Sequence, residues 1–112
     1  MNSNFNLLNK CYKFIEYYDN ILPNFPKKNV VLKKSIETTN YEMIENLFAY
    51  NINKTDRIKE KYIKDFLIKL SMIDFYTKVS LHKKTISQKQ AEIIGMNITE
   101  MRKMVYGILN GL

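Results

Sequence analysis

The sequence predicts an all-α protein, folded as an antiparallel up-down-up-down four-helix bundle. Over most of the chain, apolar residues recur at spacings of three and four, which places them on one stripe of a helix. The only prolines, Pro23 and Pro26, interrupt this pattern once. The other breaks are short, and short connections make consecutive helices antiparallel neighbours. No strand pattern competes with this interpretation.

The four expected helices fill a single domain of 112 residues. They span residues 5–22, 29–53, 56–81 and 87–109. Their expected core stripes are Phe5, Leu8, Tyr12, Ile15 and Leu22; then Leu32, Ile36, Asn40, Met43, Leu47 and Tyr50; then Ile58, Tyr62, Phe66, Leu70, Ile73 and Thr77; and finally Ile94, Ile98, Met101, Val105 and Ile108.

The starts of the third and fourth helices carry recognisable polar residues. Thr55 or Asp56 is the expected N-cap of the third helix, because a side-chain oxygen there accepts from free backbone N–H groups. Ser87 with Gln90 three residues later predicts a capping box for the fourth. Gly95 inside the fourth helix disfavours helix formation, so we expect it to mark a close helix contact.

The third helix has more apolar surface than a bundle helix needs. A second stripe, spaced four, three and four, lies nearly opposite the main one. Its members are Ile68, Met72, Phe75 and Val79. Monomers seldom leave such a patch in water, which predicts that this stripe is an oligomer interface. The alternative is a central third helix that buries both of its faces inside one irregular bundle.

The residue inventory argues against an enzyme. Cys11 and His82 are the only cysteine and histidine, so no cluster of metal ligands is expected, and Cys11 reads as a buried structural residue. The three glycines form no phosphate-binding loop, and no serine or threonine has a histidine to activate it. We therefore expect no catalytic residues, no cofactor, no metal and no small-molecule substrate.

The chain is also expected to be cytoplasmic and to have no membrane role. Its apolar runs are far shorter than the roughly 20 residues of a membrane span. Its first residues show neither a basic leader nor a cleavage site for export.

An excess of positive charge favours an anionic partner. The chain has 18 Lys and Arg against 11 Asp and Glu, a net charge of +7. In the predicted bundle, the first and third connections lie at the same end. This gathers Lys27, Lys28, Lys33, Lys34, Lys83, Lys84 and Lys89 into the stronger candidate nucleic-acid site. A second candidate group, diluted by acidic neighbours, opens the third helix with Arg57, Lys61 and Lys64.

Lysine outnumbers arginine in both groups, which favours contact with phosphate over readout of bases. The alternative is that the basic composition reflects coding bias and solubility alone. Tyr17, Tyr18, Tyr76 and Tyr106 are candidates for stacking on bases, although aromatic residues at helical spacing are more often core.

Four segments of the chain resemble a known family. They are NFPKK after the first helix, KDFL with Asp65 in the third, KKTISQKQ before the fourth and ITEMRKMVYGIL within it. In this order and spacing they resemble the Avd-like four-helix bundle family. These proteins are the accessory variability determinants of diversity-generating retroelements, and they are similar to S23-type bundle proteins encoded in some ribosomal RNA insertions.

The resemblance implies a ring-shaped homopentamer that binds a reverse transcriptase and its template or spacer RNA, in a bacterial or phage setting. Two features depart from the relatives. The family usually closes with a Gly-Trp pair, whereas Gly107 precedes Ile108 and the chain has no tryptophan. The segment TTNYEMIENLF lacks the Ala-Asn-Ile-Ala-Glu-Gly-like sequence frequent in S23-type proteins, which favours the retroelement branch.

Two functions remain open at this point. The first is a non-enzymatic accessory subunit that presents basic surfaces to RNA and a reverse transcriptase. The second is a protein-interaction or assembly scaffold of the S23-like type, whose charge has no role in nucleic-acid binding.

Overall fold

The computed structural model describes the backbone of residues 3–112 and the side chains of residues 6–112. Its four long helices are α1 (Ser3–Ile21), α2 (Val30–Ile52), α3 (Asp56–His82) and α4 (Gln88–Asn110). Two single-turn 3-10 helices, Leu22–Asn24 and Lys27–Asn29, connect α1 to α2. Each long helix begins and ends within two residues of the bounds expected from the sequence. The described backbone contains no strand, and the all-α prediction is confirmed.

The helices run alternately up and down, and each packs against two neighbours, with α4 returning to α1. The ring of Tyr12 on α1 lies 6.4 Å from that of Phe48, near the far end of α2. Lys69 of α3 pairs with Glu42 of α2 at 3.4 Å. The longest dimension of the molecule, 44 Å, is close to the roughly 40 Å expected of a helix as long as α3. The antiparallel four-helix bundle is therefore confirmed.

The stripes expected for α2 and α4 agree with the structure. On α4 all five predicted residues are buried, from Ile94 to Ile108. On α2 the same holds from Ile36 to Tyr50, while Leu32 is half-buried. Asn40 is fully buried, and neither its amide nitrogen nor its oxygen has a hydrogen-bond partner among the described residues. Asn40 is thus a polar residue in an apolar core. An unpaired buried polar group of this kind lowers the free energy of unfolding by about 1–3 kcal/mol.

The stripe expected for α1 was right at Ile15 and Leu22, which are buried, and wrong before them. Tyr12 is 42% exposed and Leu8 is only half-buried, while Phe5 lies outside the described side chains. The core face consists of Leu7, Cys11, Phe14, Ile15, Tyr18, Ile21 and Leu22. Because α1 is apolar over about half its circumference, two registers of the same period were available. The buried one is offset by about 100 degrees from the one predicted.

The stripe expected for α3 was wrong at its beginning. Ile58 is 41% exposed and Tyr62 is half-buried, whereas Ile63 is fully buried. From Phe66 to Thr77 the prediction agrees with the structure. Each step of four residues turns about 40 degrees past a full helical turn. The predicted steps from Phe66 back to Tyr62 and Ile58 therefore move away from the core face.

A turn with a left-handed residue and a helix capping box form the connection between α3 and α4. Lys84 adopts a left-handed backbone conformation with φ of 62 degrees, and the Thr85 hydroxyl donates to the Ser80 carbonyl at 3.1 Å. Ser87 and Gln90 then form the predicted capping box, with reciprocal bonds of 3.0 and 2.9 Å. By contrast, Thr55 stands at the N-cap of α3 without a side-chain cap bond.

The close contact expected at Gly95 is absent. A Cβ atom built there meets nothing within 4 Å among the described residues. The glycine instead opens onto a shallow groove beside Asp74 of α3. Its missing side chain thus leaves open space on the bundle surface rather than admitting another helix of the same chain.

Candidate nucleic-acid interface and adjoining apolar surface

The α1/α2 and α3/α4 connections meet at one end of the bundle, called here the connection end. Lys28 and Asn29 from the first connection and His82 and Lys83 from the end of α3 line one surface depression. Phe25 is buried and anchors the first connection to the core. Lys84, whose backbone conformation is left-handed, lies in the turn between α3 and α4. Residues 53 or more positions apart in sequence therefore form one surface.

The lysines of the connection end are not neutralised by neighbours. Five of them, Lys27, Lys28, Lys83, Lys84 and Lys89, are exposed, and none forms an ion pair within residues 6–112. Lys33 is half-buried. Lys34 is exposed and lines a groove between α2 and α3, which Glu42 and Lys69 also line. The unpaired group leaves positive charge available to an anion.

The predicted residues at the start of α3 lie towards the opposite end, where α2 joins α3. Lys61 pairs with Asp65 at 2.9 Å and Lys64 with Glu60 at 3.1 Å. The hydrogen bond and charge of Asp65 raise the pKa of Lys61. Arg57 is exposed and forms no ion pair among the described side chains. Since α3 is 27 residues long, the ten predicted residues form two separate groups.

The second apolar stripe of α3 faces outwards. Ile68 is 60% exposed, Phe75 is 56% exposed and Met72 is 37% exposed, while Val79 is half-buried. The alternative in which α3 buries both faces inside one bundle is therefore wrong for this chain. No side chain among residues 6–112 covers the stripe.

The apolar stripe and the connection end are continuous. A groove of about 360 Å³ between α2 and α3 has Val31, Leu32, Phe75 and Val79 among its apolar walls. Lys28 and Lys83, which also line the depression at the connection end, line the same groove. From the sequence alone, the stripe and the lysines are predicted as separate sites. Only the pairing of α2 with α3 shows that they adjoin.

The tyrosine candidates differ in accessibility. Tyr18 is fully buried, and its hydroxyl lies 2.6 Å from Thr77 Oγ1, so Tyr18 as a base-stacking residue was wrong. Burial raises the pKa of Tyr18 to about 12. Tyr17 and Tyr76 are half-buried, and Tyr106 is 51% exposed. Tyr18 is therefore a core residue of α1 and not a ligand-binding residue.

Cys11, the candidate structural cysteine, is buried. Burial raises the pKa of the Cys11 thiol to about 12, so the thiol stays protonated at neutral pH. Within the side chains that the structure describes, no group of three or more His, Cys, Asp or Glu residues is placed to hold a metal ion. Across residues 3–112, no helix combines the length and apolar character needed to cross a bilayer.

Comparison with known proteins identifies the fold. No protein-family model and no curated protein matches the chain in sequence. A solved structure does match: a protein of unknown function from the S23 ribosomal protein family of Bacteroides thetaiotaomicron. The TM-score is 0.89, and the match covers 97% of this chain and 99% of that one. Sequence identity is 14%, so what the two proteins share is the four-helix bundle fold.

Proposed function

We propose that this protein is a non-enzymatic accessory protein of a diversity-generating retroelement. In this proposal its basic surfaces bind RNA and a reverse transcriptase, and helix contacts between copies build an oligomer. The retroelement role, the polymerase and a pentameric state come from the resemblance to the Avd-like family. The RNA surface and the self-association have support of their own in the bundle.

The observation that carries the RNA proposal is the unpaired charge of the connection end. Lys28 and Lys83 line the same depression, although they belong to different connections. Neither forms an ion pair within residues 6–112. A Lys–phosphate contact releases counterions, so affinity should fall with salt, with a slope of about 0.7 per contact on a single strand. Compact ammonium groups of this kind bind backbone phosphate without reading sequence.

The observation that supports self-association is the uncovered stripe on α3. Contiguous exposed apolar patches on a small protein commonly mark interaction sites. Phe75 lies at the middle of the stripe, with Met72 and Val79 on either side of it in sequence. A second copy that covers the stripe would remove these side chains from water.

Charge reversal tests RNA binding. We expect Lys27→Glu, Lys28→Glu, Lys83→Glu and Lys84→Glu together to abolish retention of a mixed RNA pool at low salt. Four reversals change the net charge by −8, from +7 to −1. The matched control reverses four exposed lysines scattered over the surface, Lys13, Lys54, Lys78 and Lys103, and gives the same net charge. Loss should be much larger for the clustered set.

Two results would reject the RNA proposal. One is undetectable binding of the unaltered protein to the RNA pool at low salt. The other is equal loss in the clustered and scattered variants, which would mean that net charge alone attracts RNA. Binding of a protein partner without RNA would instead favour the assembly scaffold of the S23-like type.

The mutation Phe75→Glu tests self-association. A buried carboxylate in an interface loses its hydration, so the variant should have a lower oligomer mass in light scattering. Circular dichroism checks that the helices remain. An unchanged oligomer mass in a folded variant would contradict the assignment of this stripe to the interface.

A further inference from the structure

The depression at the connection end and the apolar groove between α2 and α3 share part of their walls. The depression has a volume of about 450 Å³ and the groove about 360 Å³. Lys28, Asn29 and Lys83 line both of them. The two therefore adjoin, and together they offer positive charge on one side and an apolar wall on the other.

Asn29 is the uncharged residue of this shared wall, and the bundle does not use its side chain. It stands at the N-cap of α2, where asparagine commonly accepts from a backbone N–H, but it makes no side-chain cap bond. Its Oδ1 atom is buried and has no hydrogen-bond partner among the described residues. The residue as a whole is half-buried, so turning this oxygen towards the cavity would break no hydrogen bond that it makes. Asn29 thus has an acceptor free for a ligand.

The groove contains an aromatic side chain on which a base can stack. Tyr76, one of the tyrosines that the sequence offers for stacking, lines the groove and is half-buried. Val31, which is 75% exposed, and Leu32 line the groove from α2. Stacking on an aromatic ring tolerates any base, because every base has a π-face. The groove therefore suits a base without selecting its sequence.

We propose that the depression and the groove together bind one unstacked nucleotide of a single RNA strand. The proposal rests on the RNA binding proposed above and names the form of RNA that this site takes. The backbone phosphate lies at Lys28 and Lys83, and the base lies in the groove against Tyr76. The 2′-hydroxyl of the sugar donates to Asn29 Oδ1.

The order of the groups in a nucleotide matches the order of these walls. The sugar joins the phosphate to the base, and Asn29 lies where the depression adjoins the groove. An ionised backbone phosphate has no hydrogen to donate to an amide oxygen, whereas the 2′-hydroxyl of RNA is both donor and acceptor. DNA lacks this hydroxyl. Asn29 is therefore a specificity-determining residue that favours RNA over DNA.

The site also requires a single strand. In a duplex the bases are paired and stacked, and only unpaired bases can be splayed out onto aromatic side chains. Lysines contact phosphate in either form. A duplex can therefore reach the depression with its backbone but cannot place a base in the groove.

The nucleotide site leaves part of the α3 stripe available to a second copy. Phe75 and Val79 line the groove, but Ile68 and Met72 do not. The rings of Phe75 and Tyr76 lie 5.8 Å apart, so Phe75 borders both surfaces. Ile68 and Met72 lie further from the connection end, because α3 ends there. Contact between copies at these two residues is compatible with a base at Tyr76.

Three single strands of the same base sequence test the role of the sugar. They are oligouridine, its 2′-fluoro counterpart and oligodeoxyuridine, and fluorescence anisotropy at low salt measures the affinity for each. The fluoro group keeps the sugar conformation of RNA but has no hydrogen to donate. We expect the unaltered protein to bind oligouridine about two- to tenfold more tightly than the other two, the contribution of one neutral hydrogen bond. Asn29→Ala should remove this preference by lowering the affinity for oligouridine alone.

Matched variants separate the sugar contact from the base contact. Asn24→Ala replaces an exposed asparagine of the same connection that lines neither cavity, and it should keep the preference for oligouridine. Tyr76→Leu should weaken binding of all three single strands by about fivefold or more, the loss of one stacked base, and leave the affinity for duplex RNA unchanged. Circular dichroism checks the fold of each variant. Asn29→Gly repeats the test with a residue that N-caps tolerate if Asn29→Ala fails to fold.

The outcomes distinguish this site from the RNA function on which it rests. Undetectable binding of every oligonucleotide to the unaltered protein would reject the RNA function itself. Equal affinity for the three single strands, or a preference that survives in the folded Asn29 variant, would reject only the nucleotide site. An equal loss of single-strand and duplex binding in Tyr76→Leu would show that no base occupies the groove.

Discussion

The two ends of the bundle both carry basic residues, but they differ in how these are neutralised. At the end where α2 joins α3, called here the α2/α3 end, Lys61 and Lys64 pair with carboxylates one helical turn away. In the same region Lys59 donates to the Tyr50 carbonyl at 2.9 Å. At the connection end, the five exposed lysines from Lys27 to Lys89 have no ion pair within residues 6–112. The number of lysines alone therefore does not locate a binding surface.

The difference follows from where the lysines lie in the secondary structure. Inside a long helix, an acidic residue four positions away faces the same side, and α3 forms three such pairs with Lys61, Lys64 and Lys78. Lys27 and Lys28 lie in a 3-10 turn, and Lys83 and Lys84 follow the end of α3. These four residues have no regular helical neighbour, so their charges stay free. Lys89 lies in the first turn of α4, where the residue four positions on is Ile93 and not a carboxylate.

The strongest test of this contrast is the salt dependence of RNA binding. We expect Lys28→Gln with Lys83→Gln to lower the slope of log affinity against log salt by about 1.4, at about 0.7 for each lost contact on a single strand. The matched pair, Lys61→Gln with Lys64→Gln, should change it much less, because those lysines already have partners. Fluorescence anisotropy at several salt concentrations measures both slopes. Equal slope changes in the two pairs would remove the distinction between the ends.

Helix capping offers a second contrast between the ends. Ser87 accepts from the Gln90 backbone N–H at 3.0 Å, whereas Thr55 has no side-chain cap bond. We expect Ser87→Ala to lower the free energy of unfolding by about 1 kcal/mol, the usual value of an N-cap. Thr55→Ala should have a much smaller effect. Urea denaturation followed by circular dichroism measures both, and a larger loss in the Thr55 variant would contradict the capping assignment.

Periodicity predicted the core well where a helix has one apolar stripe and poorly where it has more. On α4 the polar residues leave only one apolar stripe with helical spacing, so all five core residues were predicted correctly. On α1 the predicted stripe has Asp19 where another apolar residue is due, while the stripe through Leu7, Cys11, Phe14 and Tyr18 has no such gap. That missing member was a signal in the sequence for the correct register.

The candidate sites were predictable only in part. The meeting of Lys28 and Lys83 at one end followed from helix order alone. Sequence periodicity also placed Phe75 on the outer side of α3. What local patterns did not predict is that Phe75 and Lys28 line one groove, because their distance depends on the packing of α2 against α3.

The backbone of Lys84 provides a test that separates stability from binding. A residue with a Cβ atom in the left-handed region is strained, whereas glycine adopts that conformation freely. We expect Lys84→Gly to raise the free energy of unfolding by about 0.5–1 kcal/mol and to weaken RNA binding at the same time. Lys89→Gln, which removes a nearby charge without this backbone change, is the control. A Lys84→Gly variant that is more stable and binds RNA as well as before would exclude Lys84 from the interface.

The smallest expected effect is a gain of binding at the α2/α3 end. Asp65→Asn removes the carboxylate that pairs with Lys61 at 2.9 Å and leaves its ammonium group free. If pairing is what keeps this end from binding RNA, the variant should bind more tightly, and its salt slope should increase by up to about 0.7, the value for one single-strand contact. Asp74→Asn is the matched control, because it frees Lys78 outside the proposed RNA groups. An equal gain in both variants would mean that net charge, and not the position of the freed lysine, controls RNA affinity.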